Sequence, residues 1–257
     1  TKKGKTEKPT ISYTGNFNFN TPASVPQKVN VLQHIEMMGE LYANDGISNH
    51  FFTHLLPYVN TADIYSKNPE VVKGPFGDTP DLVLGWHDWW KEMYGTAFDH
   101  SHNLSISGGS EKSNYYASIG YLDQGSMFNY GEHNNKKYWG RFKYEYNLNK
   151  YIKLRSNVYV GRKKVTEPYD INQLAWLTYW TWNCQPTFNP QGQYYGSGGF
   201  GNPIAFAEHT GNRWKTYYSY YTQLGFDITP LKNLTITGDM SLNYDISDEK
   251  YYRKRHQ

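Results

Sequence analysis

Between positions 138 and 148 the chain reads YWGRFKYEYNL, and its side chains keep a two-residue beat. Tyr138, Gly140, Phe142, Tyr144, Tyr146 and Leu148 alternate with Trp139, Arg141, Lys143, Glu145 and Asn147. In an extended strand these two sets point to opposite faces, so one face is apolar and aromatic and the other mostly polar. The same beat predicts further strands. In 152–160, Ile152, Leu154, Val158 and Val160 oppose Lys153, Arg155 and Asn157. In 214–228, Trp214, Tyr218, Tyr220, Leu224, Phe226 and Ile228 oppose Lys215, Ser219, Gln223 and Asp227. In 234–246, Leu234, Ile236, Met240, Leu242, Tyr244 and Ile246 oppose Thr235, Thr237, Asp239, Ser241, Asn243 and Asp245. Near the start, Ile11, Tyr13, Phe17 and Phe19 oppose Ser12, Thr14, Asn16, Asn18 and Asn20. A hairpin enters through Leu104 and Ile106 and leaves through Tyr115, Ala117, Ile119 and Tyr121.

About seven strands follow from this beat, several close to the ~9–11 residues that cross a bilayer at a tilt. Their connections alternate in length. Short ones fall at 108–114, 147–151 and 229–233, and long ones at 21–102, 122–137 and 162–213. Short turns at one end and long loops at the other, with aromatic residues near strand ends, match an outer-membrane barrel. A soluble antiparallel sheet with one wet face shows the same alternation. Strand length, aromatic content and loop asymmetry together favour the barrel.

Composition narrows the choice. A mean hydropathy of −0.79 is too polar for an ordinary core-filling mix, yet 18% of the 257 residues are aromatic, which argues against disorder. The net charge of +3 gives no nucleic-acid footprint, which needs clustered Lys and Arg. A single cysteine, Cys184, excludes an internal disulfide framework and a cysteine-rich zinc site. No apolar run approaches the ~20 residues of a membrane helix, a test that leaves barrels untouched.

The chain opens on TKKGKTEKP without a signal peptide, and seven strands leave two edges that lipid does not tolerate. One part of a larger barrel is therefore expected. The segment DWWKEMYGTAFDHSHNLSISGGSEKSNYYASIGYLDQG, 88–125, sharpens this. It resembles the first barrel hairpin of the SusC/RagA family of TonB-linked outer-membrane proteins, through Asp88–Trp89, Asn103 to Gly109, Tyr115 to Ser118 and Gly120 to Gln124. TKKGK (1–5), PTFNPQG (186–192), GNPIA (201–205) and DITPLKNLTITGDMSLNYD (227–245) resemble other family segments in family order. Gly125–Ser126 departs from a common Glu-Gly pair.

The resemblance implies that residues 1–9 leave a plug domain and that 10–257 begin a large antiparallel transmembrane β-barrel of ~22 strands, with long extracellular loops containing short helices. It further implies a Gram-negative outer membrane of Bacteroidota type. The expected activity is TonB-powered import of oligosaccharides, or alternatively oligopeptides, under a SusD-like surface lipoprotein. No catalysis and no cofactor are expected. Outside the family, a passive porin or adhesin barrel and a soluble carbohydrate-binding β-domain remain as alternatives.

Candidate binding residues are Trp176, Trp180 and Trp182 in LAWLTYWTWN. Trp176 and Trp180 share a helix face, placed to stack on a sugar or a lipoprotein cap, or to fill the loop's own core. VNVLQHIEMMGELYAND, 29–45, reads as an amphipathic helix with Val31, Ile35, Met38, Leu41 and Tyr42 near one face. Arg141, Lys143, Glu145, Lys153, Arg155 and Asp239 are expected to face the lumen. His87, His100 and His102 lack partners at zinc-like spacing. No serine sits in a nucleophile motif. GSGGFGN (196–202) lacks the Lys-Ser/Thr of a phosphate loop and reads as a loop tip. Asp88–Trp89 is expected to anchor the first long loop to the barrel rim.

Overall fold

The structure is a computed structural model that describes residues 8–24, 26–47, 51–59, 70–72, 82–196 and 201–254. The expected plug exit at 1–9 and the glycine-rich tip at 196–202 fall largely outside these residues. Seven strands form one antiparallel sheet: β1 (Thr10–Asn20), β4 (Ala97–Gly109), β5 (Ser113–Gln124), β6 (Asn134–Asn147), β7 (Ile152–Pro168), β8 (Gly211–Leu231) and β9 (Leu234–Arg253). Apart from the step from β1 to β4, each strand pairs with its sequence neighbour. Two three-residue strands, β2 (Glu70–Val72) and β3 (Leu82–Leu84), pair separately. Five helices lie in the long connections: α1 (Val31–Asn44), α2 (Phe51–Val59), α3 (Trp89–Met93), α4 (Ile171–Trp180) and α5 (Pro203–His209).

Register decides what the sheet presents. Leu104 lies opposite Ile119, Ile119 opposite Gly140, Gly140 opposite Val160, Val160 opposite Tyr220 and Tyr220 opposite Tyr244. The next row runs Ile11, Ile106, Ala117, Phe142, Val158, Thr222 and Leu242. The apolar sets expected on each strand therefore merge into one continuous face, and a slip by one residue anywhere would break it. That face is open: Ile119 is 64% exposed, Leu224 54% and Met240 73%.

The two faces of the sheet enclose almost no apolar core. Among the described residues, Ala97 is the one buried hydrophobic residue in the seven strands. The remaining buried hydrophobics sit in the long connections, and all but Val83 and Leu177 fall in two small clusters. Val31, Ile35, Phe52, Leu55, Leu84 and Cys184 form one, and Trp89, Met93, Leu174, Ile204 and Ala207 the other.

The strands outrun the apolar beat. β7 continues to Pro168 and β9 to Arg253, beyond the expected ends at 160 and 246, while β4 begins at Ala97 and β8 at Gly211. Backbone pairing needs no apolar side chain, so the ladder continues past the row of Tyr121, Tyr138, Arg162 and Tyr218 into a row bearing Asp123, Lys136, Lys164 and Asp248. The apolar band is bounded by Arg162 above and Ile152 below on β7, close to a tilted membrane crossing.

The short connections have local chemistry. Asn149 Oδ1 accepts from the backbone N–H groups of Tyr151 (2.8 Å) and Ile152 (2.9 Å), an Asx turn between β6 and β7. Ser110 Oγ accepts from the N–H groups of Lys112 and Ser113 between β4 and β5. Pro230, which cannot donate to the ladder, sits at the irregularity between Ile228 and Leu231.

The helix expected over 29–45 is α1, N-capped by Asn30 in a capping box with Gln33. Val31 and Ile35 are buried and Met38 and Tyr42 pack against their cluster, but Leu41 is exposed. The packed face is narrower than the sequence stripe because α2 covers one side of the helix.

On the polar face, Trp139 lies over Gly120, its cross-strand neighbour. A Cβ at Gly120 would overlap the Trp139 indole, whereas one at Gly140 would meet nothing nearer than 3.5 Å. Gly120→Val should therefore destabilise the intact protein by about 1–3 kcal/mol through overpacking, with a shift in tryptophan emission. Gly140→Ala should stay within about 0.5 kcal/mol of the parent. Denaturant titration in detergent checks both.

Candidate functional site: the polar face and the helical mouth

All six residues expected in the lumen share the polar face by register. Arg141 lies opposite Tyr159, Lys143 opposite Asn157, Glu145 opposite Arg155, Lys153 opposite Asp227, and Gly225 opposite Asp239. Near the short turns their charges are compensated. Lys153 Nζ meets Glu145 at 2.8 Å, and Arg155 bridges Asp227 (3.0 Å) and Asp239 (3.2 Å). Gln223 donates to Asp239 at 3.2 Å and Thr237 to Asp227 at 3.0 Å. Asp227 thus joins a network that the candidate set left out, although its place in the alternation marks it as polar-facing. Partly exposed pairs of this kind add little stability singly, but together they hold these side chains in place.

Further up the same face the balance changes. Lys137, Arg141 and Lys143 border a polar recess of about 410 Å³ with Tyr116, Trp139 and Tyr159. Lys137 sits over the Trp139 ring at 5.6 Å and Arg141 over Tyr159 at 5.3 Å. None of the three cations has a carboxylate partner among the described residues. Aromatic faces pre-position the cations while leaving their charge to a passing or docked group. Higher still, Glu167 draws in Lys215 at 2.9 Å and Arg213 at 3.6 Å, and Arg213 also pairs with Glu249.

Above the long-connection ends of the strands, the helices pack together as a cap of loops. Asp88 caps α3 by accepting from Lys91 N–H, and Trp89 is fully buried, its Nε1 donating to the Trp182 carbonyl at 3.0 Å. Asp170 caps α4, and Asn202 caps α5 while its amide donates to the carbonyls of Thr187 (2.8 Å) and Tyr195 (3.1 Å). Asn183 reaches the Val29 carbonyl, joining the two longest connections. Gln185 donates to the Tyr195 carbonyl at 3.1 Å. These buried amides crosslink backbone that no sheet or helix satisfies.

The three candidate tryptophans separate. Trp182 packs against the first cluster, with Phe52 edge-on at 4.9 Å, so its role is cohesion of the loops. Trp176 and Trp180 are 44% and 52% exposed with ring centroids 6.1 Å apart. Tyr179, missed by the sequence reading, is 57% exposed and sits edge-on to Trp180 at 5.5 Å. Lys28 anchors this corner by donating to the Tyr179 carbonyl at 2.8 Å. Leu174 and Leu177 bury the opposite side of α4. The three exposed rings form a platform on one helix.

Among the described residues no three His, Cys, Asp or Glu side chains are grouped to hold an ion. His87 bonds Thr187 Oγ1 at 3.0 Å, and His100 bonds His102 at 3.1 Å. Cys184 is buried and its thiol is pushed up to about 12 by that burial, so it is chemically quiet.

Burial among the loops also depresses His34, which lies edge-on to Phe52 at 5.8 Å. Desolvation first, and then the Lys28 charge, lower it to about 4 from the ordinary 6.5. A histidine held neutral by folding contributes stability that is full above about pH 6.5 and lost as pH falls toward about 4. Acidification from pH 7.5 to 4.5 should therefore reduce amide-exchange protection of α1, with the loss smaller in His34→Gln. Equal acid sensitivity in the variant would place the titration elsewhere, for instance at His87 or His133, which burial also lowers.

No family model and no curated protein sequence matches the chain. Solved structures do. The chain aligns over 99% of its length to the RagAB peptide importer in its closed-closed state, with a TM-score of 0.70 and 19% identity. The open-open state of the same importer gives a TM-score of 0.66 at 20% identity over 97% of this chain, and a further RagAB peptide transporter structure gives 0.67 at 21% over 97%. The chain spans 30%, 29% and 29% of those chains. At this identity the likeness is one of fold, an antiparallel β-sheet with helical loops, superposable on just under a third of each importer chain.

Proposed function

We propose that this chain is part of the wall and mouth of an outer-membrane, TonB-dependent importer of oligomeric nutrients, working with a SusD-like lipoprotein. The observation that carries the reading is the seven-strand register. It merges the apolar positions between Ile152 and Val160 of β7 and their cross-strand neighbours into one exposed face about one bilayer crossing tall, and the charges at that height into the other. An open apolar face of this extent suits hydrocarbon and not water. Among the described residues β1 pairs only with β4 and β9 only with β8. Lipid does not tolerate such edges, which supports further strands closing a barrel.

In this reading residues 1–9 leave a plug and 10–257 form the first part of the barrel. The polar face contacts the plug and the aqueous path, and the helical mouth meets the lipoprotein and cargo. The short turns lie in the periplasm and the long connections outside. The RagAB likeness supports a peptide cargo; the exposed rings of Trp176, Tyr179 and Trp180 support a glycan, whose sugars stack on such surfaces. Energy coupling through TonB would come from a plug and Ton box beyond this chain. The protein moves its cargo without chemical change.

Nitroxide labels separate the faces. Labels at Phe142 and Leu224 in the full-length protein, reconstituted in bilayers, should be reached by oxygen and shielded from a polar nickel reagent. Labels at Arg141 and Lys143 should behave in reverse. The opposite pattern would sink the membrane orientation.

Trp176→Ala with Trp180→Ala should weaken lipoprotein association or cargo uptake about tenfold or more at unchanged outer-membrane abundance. Trp182→Ala should instead cost about 3 kcal/mol of stability and lower abundance. Co-purification and growth on oligosaccharide or oligopeptide as sole nutrient give the readout and decide the cargo class. Unchanged association and growth in the double variant would remove the platform from the site.

A further inference from the structure

We infer that the apolar face carries a specific site for a phosphate-bearing membrane lipid, with its acyl chain in a groove over Gly140 and its phosphate on Arg162, Lys164 and Lys136. The inference rests on the reading of that face as lipid-facing.

The groove exists because one position in an otherwise bulky row has no side chain. Ile119 on β5 and Val160 on β7 flank Gly140 on β6. Tyr138 and Phe142 stand above and below it on the same strand, 48% and 46% exposed. Two apolar recesses, of about 620 and 540 Å³, meet here and share Leu104, Ile119, Gly140 and Val160. Together they run along the sheet as one trough. Its upper end is bordered by Tyr121, Tyr138, Tyr218 and Arg162. A trough of this shape takes a flexible hydrocarbon chain, and aromatic residues at its end suit the boundary between hydrocarbon and headgroup.

At that boundary the cations are arranged against their own interest. Lys136 and Lys164 are direct cross-strand partners on the lipid-facing side of β6 and β7. Side chains so placed lie ~5 Å apart at Cβ, and like charges there are destabilising. Arg162 adds a third cation two residues below Lys164, resting over the Tyr218 ring at 5.9 Å. Asp123 answers only part of this charge: it meets Lys136 at 3.4 Å and accepts from Tyr121 OH at 2.7 Å. The nearby Asp248 pairs with Lys250 at 3.8 Å. Among the described residues, Arg162 and Lys164 have no carboxylate. Two lysines and an arginine against one carboxylate fit a phosphate, which takes a planar guanidinium and two ammonium groups at once. Trough and cations sit on one face and adjoin end to end, which selects a phospholipid-like or glycolipid phosphate tethered to acyl chains.

The test uses the full-length protein in bilayer nanodiscs, with lipid A bearing its phosphates, the same lipid after phosphatase treatment, and inorganic phosphate. Retention is read by native mass spectrometry. Phosphorylated lipid should be retained about tenfold more than the dephosphorylated form, and Arg162→Ala with Lys164→Ala should abolish that preference. Gly140→Phe, whose Cβ has room, should fill the trough and lower retention of both lipids several-fold. Equal retention of the two lipids, or a preference that survives the double variant, overturns the proposal. Binding of inorganic phosphate that is undiminished in Gly140→Phe and displaces the lipid also overturns it, in favour of a free-anion site. A nitroxide at Phe142, read in the same discs, separates the causes. Oxygen access with no lipid preference defeats this inference alone; absence of oxygen access defeats the membrane reading and this inference with it.

Discussion

Everything in the sheet hangs on cross-strand register. Hydrogen-bonded pairing joins the seven strands, because among the described residues no apolar core lies against either face to correct an error. Backbone groups that fail to pair are costly wherever water is scarce, so the ladder is under strong constraint along its whole length. The constraint also has a direction. Ile119, Gly140, Val160 and Tyr220 come from four strands, yet each pairing preserves the parity that keeps them on one side. Shifted by one residue, Arg155 and Asp239 would turn to the apolar face and lose the network they share with Asp227.

With both sheet faces left open, the packed cores lie elsewhere. They sit in the long connections, where Ile35 with Phe52 and Trp89 with Leu174 build two small clusters. Long loops without such cores are uncommon in ordered proteins. Caps from Asn30, Asp88, Asp170 and Asn202 start four of the five helices, and buried amides such as Asn183 tie distant segments together. The result is a firm base that can hold Trp176, Tyr179 and Trp180 exposed without collapse. Burying one side of α4 through Leu174 and Leu177 is what commits the other side to solvent or to a partner.

The charged residues divide by height and face. Close to the short turns, opposite charges on the polar face neutralise one another. Midway, Lys137, Arg141 and Lys143 rest among aromatic rings without carboxylates. On the opposite face, Arg162 stands in the aromatic row and Lys136 and Lys164 in the row above it. In the membrane orientation proposed above, that segregation follows the cost of charge in each environment: cheap in an aqueous path, expensive beside hydrocarbon, and favourable again at headgroup level.

Strand identity and facing were legible from the chain alone, because a period of two is local: Arg141 and Phe142 declare opposite faces without knowledge of their neighbours. The motifs from Asp88 to Gln124 similarly pointed to a fold that the RagAB structures share. Strand ends were not legible, since β7 and β9 continue by backbone pairing after their apolar beat has stopped. Nor was the fate of each tryptophan. Trp180 and Trp182 sit two residues apart, yet Phe52, arriving from another connection, packs against Trp182 and leaves Trp180 open. The apolar trough and the Lys136–Lys164 pair are likewise products of register between strands, where the gap at Gly140 has meaning only between Ile119 and Val160. Sequence determined which way each side chain faces, because that depends on the backbone's own repeat; tertiary structure alone decided which side chains meet, because that depends on strands and loops far apart in the chain.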